Sequence, residues 1–148
     1  LIAPADEIDQ IMAVMAAAFD PAYGEAWTRR QVEDALLTGN CHYGLAMHQG
    51  QCAGFYLTRS AFDEEELLLL AVSPKFRSKG IGQHLIDRFK HEARERGAVR
   101  LFLEMRRGNP AESLYLKNNF VPVGLRPNYY RTKQGEQLDA LTFTSEIE

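Results

Sequence analysis

The chain of 148 residues has only two cysteines, Cys41 and Cys52, and no CxxC pair. Neither a disulfide framework nor a zinc site is indicated, and a reducing, cytoplasmic setting is the default. No long hydrophobic run exists. The longest, residues 11–19, is nine residues, and a membrane span needs about 20. No Pro-, Gly- or Ser-rich stretch divides the chain, and no repeat or low-complexity segment is present, so residues 1–148 read as a single domain. Neither sign of charge dominates. Lys and Arg number 17 against 20 Asp and Glu, net −3, which gives no global reason to bind nucleic acid. The four histidines show no metal spacing, and no metal is expected. No signal-peptide pattern is visible at Leu1-Ile2-Ala3, and the lack of an initiating Met leaves room for natural residues ahead of it. What is present is ordinary for a folded chain: 45% hydrophobic and 25% charged residues, too apolar for disorder and enough for one core.

Periodicity divides the chain into elements. Ile8, Ile11, Met12, Met15 and Phe19 recur at helical spacing over residues 6–19, with Asp6 placed to cap the start. A polar loop at 20–26 precedes a second helix at 29–37, capped by Thr28 and stopped near Gly39. Residues 43–47 and 52–57 read as a hairpin turning at Gly50. Residues 67–72, bounded by the charged run 63–66 and by Ser73-Pro74, have the continuous apolar pattern of a strand buried on both faces. A basic turn with two glycines follows at 75–82. A long helix then runs to about Arg96, with Ile81, Leu85, Phe89 and Ala93 at steps of four and Gly97 as its stop.

Residues 99–105 are the next strand. Arg100, Phe102 and Glu104 share one face, and the apolar residues Val99, Leu101, Leu103 and Met105 the other. Asn109 can cap a short helix that has Pro110 at its first position and runs through residues 111–118. Asn119 stands where a left-handed residue would end it. Residues 121–125 and 138–144 are two last strands, joined by the polar loop 132–137. The order ααβββαβαββ predicts an α+β fold: a mixed, mostly antiparallel sheet with a central parallel strand–helix–strand unit.

The most specific local signal is Arg77-x-x-Gly80-x-Gly82 between that strand and its helix. A helix start offers unpartnered N–H groups and a partial positive charge. Glycines let a diphosphate come close to the backbone, and Lys75, Arg77 and Lys79 add positive charge beside it. The plain alternative is a tight turn with solvated basic residues. A Walker-type loop is absent. The dinucleotide fingerprint fails at Leu85, where a third glycine is required, and the element order is not a Rossmann half.

These residues together resemble the GNAT acetyltransferases. The matching runs are Leu70-Ala71-Val72-Ser73-Pro74, Arg77-x-x-Gly80-x-Gly82, Leu101-Phe102-Leu103-Glu104, Asn109, Leu114-Tyr115 and Phe120. Further matches are Ala26-Trp27-Thr28, Asn128-Tyr129-Tyr130 and Asp139-Ala140. Glu104, Tyr115 and the tyrosine pair point to the subgroup that acetylates the N-terminal alanine of a ribosomal protein. The resemblance implies the GNAT (acyl-CoA N-acyltransferase) fold, acetyl-CoA as co-substrate and transfer of its acetyl group to a primary amine, most specifically a protein N-terminus. It implies that Leu70, Ala71 and Val72 offer backbone groups to the pantetheine arm. It implies that the turn Arg77, Ser78, Lys79, Gly80, Ile81, Gly82, Gln83 cradles the diphosphate, and that Asn109 contacts the donor. Glu104 falls on the general base and Tyr115 on the general acid. Asn109 and Tyr115 are six positions apart where the subgroup has seven. Either the turn before the helix absorbs the difference, or one of the two is displaced.

The chemistry asks for these groups. An ammonium cannot attack a thioester, so a base must take a proton. The oxyanion needs a donor, for which the Val72 N–H serves if the central strands splay. The leaving thiolate gains from an acid. Partial burial beside Phe102 would raise the Glu104 pKa toward that task. Taken alone, Glu104 reads as an exposed strand acid and Tyr115 as a core aromatic with a wet tip. Lys75, Lys79, Arg106 and Arg107 are candidates for the adenosine 3′-phosphate, against a solvated surface. Tyr129, Tyr130, Trp27 and the loop before it could wall an acceptor groove. Cys41 and Cys52 read as small buried hydrophobes. Three alternatives stand beside the protein-N-terminus reading: a small-molecule or polyamine acetyltransferase, a non-catalytic acyl-CoA sensor, and an adenine-dinucleotide oxidoreductase.

Overall fold

A computed structural model describes residues 5–147. The first two helices, α1 (Ala5–Ala18) and α2 (Arg29–Leu37), stand where the apolar spacing predicts them. Asp6 lies inside the first turn of α1, not ahead of it, where its charge still faces the positive helix end. Thr28 starts α2 with a capping box: its hydroxyl accepts from the Gln31 N–H, and the Gln31 side chain accepts from the Thr28 N–H.

Six strands follow in one sheet: β1 (Cys41–His48), β2 (Gln51–Ala61), β3 (Glu64–Val72), β4 (Arg100–Arg106), β5 (Val121–Arg131) and β6 (Gln137–Glu146). They lie in the order β1-β2-β3-β4-β6-β5, and of the five pairings only β3–β4 is parallel. Helix α3 (Ile81–Glu95) makes that crossover, and the short α4 (Glu112–Lys117) follows β4.

Helices cover both faces of the sheet. Leu85, Ile86, Phe89 and Ala93 of α3 pack with Tyr56, Leu101, Leu103 and Met105. Ile8, Ile11, Val14 and Met15 of α1 pack with Val32 and Leu36 of α2 on Phe55, Leu57, Leu69 and Ala71. A bulge where β2 meets β3, between Leu57 and Thr58, exchanges the faces, so Leu67 joins the α3 side and Leu69 the α1 side. A two-sided core is the reason β3 reads as an unbroken apolar run.

Several expectations need correction. The charged run 63–66 is not a bounding loop, because β3 begins at Glu64. Glu65 is fully buried there and bonded to Arg96 and Thr58, a pairing invisible from its acidic neighbours. Asn109 does not cap α4, whose first residue is Glu112. Its side chain accepts from the Ala111 N–H in a turn ahead of the helix. Strand β5 runs six residues beyond Leu125, through a bulge in which Asn128 takes a left-handed φ of 55°. Cys41 and Cys52 are only half-buried.

Candidate active site

The parallel ladder between β3 and β4 stops at Leu67 opposite Leu103. Beyond it the two strands part into a fork. On the β2 side, the Ser73 N–H donates to the Ala53 carbonyl at 2.8 Å. N–H directions alternate along a strand, so the Leu70 and Val72 amides point the other way, into the fork. The splay between the central strands that would leave the Val72 N–H unpaired is therefore present.

Two cavities meet at the fork. The larger, about 900 Å³, is lined by Leu70, Ala71 and Val72, by Arg77, Ser78, Gly80, Ile81 and Gly82, and by the turn and helix from Gly108 to Lys117. The smaller, about 450 Å³, is lined by β3 and β4 residues including Glu66 and Glu104, with Glu25, Trp27, Tyr129 and Tyr130. Phe19, Glu25, Leu70, Asn109 and Tyr115 belong to both and form the neck. Asn109 and Tyr115 thus line the same neck, with a turn ahead of α4 between them.

The two walls differ in charge. The larger cavity carries Arg77, Arg106 and Lys117 against Asp20 and Glu25. The smaller carries three carboxylates and no lysine or arginine among the described residues. The start of α3 opens on the larger one. Its N-cap is Gly80 at φ 77°, a left-handed conformation that costs glycine least, and no side chain caps the helix. At Gly82 a Cβ would stand 3.2 Å from Leu114 Cδ2, so its absence brings α3 and α4 together at the cavity wall.

Not every residue named from the sequence reaches a wall. Lys75, Lys79 and Gln83 do not; the Gln83 side chain turns to Asp87 and Asn118. Arg107 pairs with Asp139 at 3.2 Å. Arg106 is buried, with its Nε 3.2 Å from Glu25 and its guanidinium 3.6 Å above the Tyr23 ring, so it is not a free cation for a terminal phosphate.

Glu104 sits in β4 one residue past the end of the parallel ladder, on the face toward the smaller cavity. Its setting is not the apolar one expected from Phe102. The side chain is 21% exposed, Arg126 Nε is 3.2 Å away and Thr142 Oγ1 donates at 3.3 Å. Tyr115 packs its ring edge on Phe120, centroids 5.8 Å apart. Burial holds its hydroxyl well above the ordinary phenol pKa, and the negative charge of Glu25 adds to the effect. Tyr130, on the opposite wall, is pushed up to about 12 by burial, then by Glu104 and Glu25. The sequence points to the loop before Trp27 but does not single out Glu25 within it, because its partner Arg106 lies 81 residues away.

A forked parallel pair with an uncapped glycine turn feeding the crossover helix is the geometry on which comparison with known proteins bears. Residues 8–120 match the model of the acetyltransferase (GNAT) family. The chain belongs to the GNAT family. Its chemistry is therefore acetyl transfer, and the oxidoreductase reading is set aside. A Bacillus subtilis (strain 168) protein, provisionally named ribosomal protein bS18-alanine N-acetyltransferase, is 32% identical over 138 residues, 92% of this chain and 87% of that one. The Salmonella typhimurium ribosomal protein bS18-alanine N-acetyltransferase is 38% identical over 57% of this chain and 58% of its own. Among solved structures, the ribosomal-protein-S18-alanine N-acetyltransferase from Escherichia coli superposes with a TM-score of 0.87 at 25% identity, over 100% of this chain and 92% of that one. This GNAT chain is thus an N-acetyltransferase. None of its helices, among the described residues, is long and apolar enough to cross a membrane.

Proposed function

We propose that this enzyme transfers the acetyl group of acetyl-CoA to the N-terminal α-amine of a protein, a ribosomal protein with an exposed alanine being the favoured acceptor, and that residues 1–148 act as one catalytic unit in the cytoplasm. The observation that carries the reading is the opposite charge of two cavities joined at one neck. A polyanionic donor suits the basic side, and a cationic amine suits the carboxylate-lined side.

The donor-side groups are Leu70, Ala71, Val72, Arg77, Ser78, Gly80, Ile81, Gly82 and Asn109. Lys79 and Gln83 contribute at most backbone N–H groups at the helix start. When acetyl-CoA is bound it supplies the activated thioester. The rest falls to the chain. Glu104 takes a proton from the acceptor, directly or through water, and the freed amine attacks the thioester carbonyl. The N–H of Val72, aimed into the fork, meets the oxyanion. Tyr115 keeps its proton at neutral pH and delivers it to the departing thiolate. The second proton, shed by the nitrogen as the intermediate collapses to the amide, returns through water to Tyr115, so that the products are amide, free thiol and the one proton on Glu104. No step calls for a metal.

Steady-state acetylation of an alanine-starting peptide, compared with spermidine, tests the acceptor class. The peptide is expected to give the higher kcat/KM. A clear preference for spermidine would favour a small-molecule enzyme. No transfer to any amine, with acetyl-CoA bound, would favour a sensor. Gly82→Val tests the donor side: branched bulk at the helix start is expected to raise the KM for acetyl-CoA about tenfold or more, the scale of one lost charge-assisted hydrogen bond. An unchanged KM would remove the turn from donor binding.

A further inference from the structure

The neck holds one charged side chain, Glu25. It follows the 3₁₀ turn Pro21–Tyr23 and precedes α2, and it is only 13% exposed. One carboxylate oxygen, Oε1, accepts from Arg106 Nε at 3.2 Å. The other has no protein donor among the described residues. Since no buried polar side-chain atom there lacks a partner, that oxygen is not sealed in and opens on the cavity. Arg106 is itself fixed, stacked on Tyr23 and carried by β4. The carboxylate is thus held by a rigid strand at the point where donor and acceptor must meet.

Glu104 does not reach this point. It lines the acceptor cavity alone, and Arg126 and Thr142 already engage it. Glu25, not Glu104, is the carboxylate whose charge acts on Tyr115, while both act on Tyr130. An acceptor amine arrives as an ammonium and must leave water to enter the neck. A charged group taken from water needs a countercharge and hydrogen-bond acceptors there.

We propose that Glu25 is the acceptor-binding carboxylate, holding the ammonium of the incoming amine at the neck through its free oxygen, with Arg106 as the positioning residue behind it. The inference rests on the reading of the chain as an amine acetyltransferase and makes acceptor charge its selection rule. Glu25 takes no proton; that step stays with Glu104, which lies outside the neck and takes the proton through water.

The experiment uses an alanine-starting peptide and the same peptide with its α-amino group replaced by hydrogen, the second as a competitive inhibitor. Glu25→Gln retains a carbonyl oxygen for Arg106 but loses the charge. Its KM for the peptide is expected to rise at least about tenfold, the scale of one hydrogen bond to a charged group. The Ki of the deaminated peptide is expected to hold, while the Tm falls because the buried Arg106 guanidinium loses its countercharge. Wild type then prefers the charged peptide, and the variant loses that preference. Glu25→Asp retains the charge and is expected to retain most of the preference. This second variant decides the matter should Glu25→Gln fold poorly. The proposal is overturned by an unchanged peptide KM, by peptide KM and deaminated-peptide Ki rising together, or by Asp and Gln losing the preference equally. A wild type that acetylates no amine overturns the functional reading instead, before any variant is made.

Discussion

Glu104→Gln is expected to lower kcat by about 10²- to 10⁴-fold, the range of a lost general base. The KM for acetyl-CoA is expected to stay within about twofold, because Glu104 has no place on the donor cavity. The substitution conserves shape. A glutamine oxygen can still accept from Arg126 Nε and from Thr142 Oγ1, so a fall in rate reports lost basicity and not a collapsed wall. The residual rate carries its own signature. With no base, only acceptor that arrives already deprotonated can react. A peptide α-amine has a pKa near 7.7–8.0, so the variant's rate is expected to rise about tenfold per pH unit below that value and level off above it. Wild type, which makes its own free amine, is expected to climb less steeply. A variant within about threefold of wild type at pH 7 would take the base role from Glu104.

The parts of this site that could be read from the sequence are those whose cause is local. The glycine turn is legible because Gly80 needs a left-handed backbone and a helix start needs anionic company. The face of Glu104 is legible because strands alternate. What stayed hidden depends on chain segments far apart. Glu25 becomes part of the neck only through Arg106, and Arg106 looks like one more surface cation until Tyr23 and Glu25 close over it. The run Glu64-Glu65-Glu66 looks like a solvated loop for the same reason. Each carboxylate there has its own arginine on another part of the fold: Arg100 for Glu64 and Arg96 for Glu65, both 31 or more residues away, and Arg59 on the neighbouring strand β2 for Glu66. Strand β5 extends past the range that its sequence pattern predicts because it is exposed along nearly its whole length, so no burial rhythm marks its far end.

The pairing of Glu65 with Arg96 also fixes where the fold is most vulnerable. Arg96→Met is expected to cost about 3–5 kcal/mol, the usual effect of stripping one partner from a buried ion pair. For a chain near this size that is a fall in Tm of roughly 6–20 °C. Glu65 is fully buried, and Arg96 reaches both of its oxygens, at 2.9 and 2.6 Å, with Thr58 Oγ1 donating at 2.7 Å. Removing the guanidinium leaves a buried carboxylate with one hydroxyl for company. The double variant Glu65→Leu, Arg96→Met removes the stranded charge as well and is expected to recover most of the loss, since an apolar pair of similar bulk can match a buried ion pair. The effect should spare donor binding. Arg96 ends α3, and the glycine turn begins it, about 22 Å away along 15 residues. Below its melting range the single variant should therefore retain the wild-type KM for acetyl-CoA. Thermal unfolding of the two variants decides the point: a single variant as stable as wild type, or a double variant weaker than the single, would show that this pair does not anchor α3 to β3.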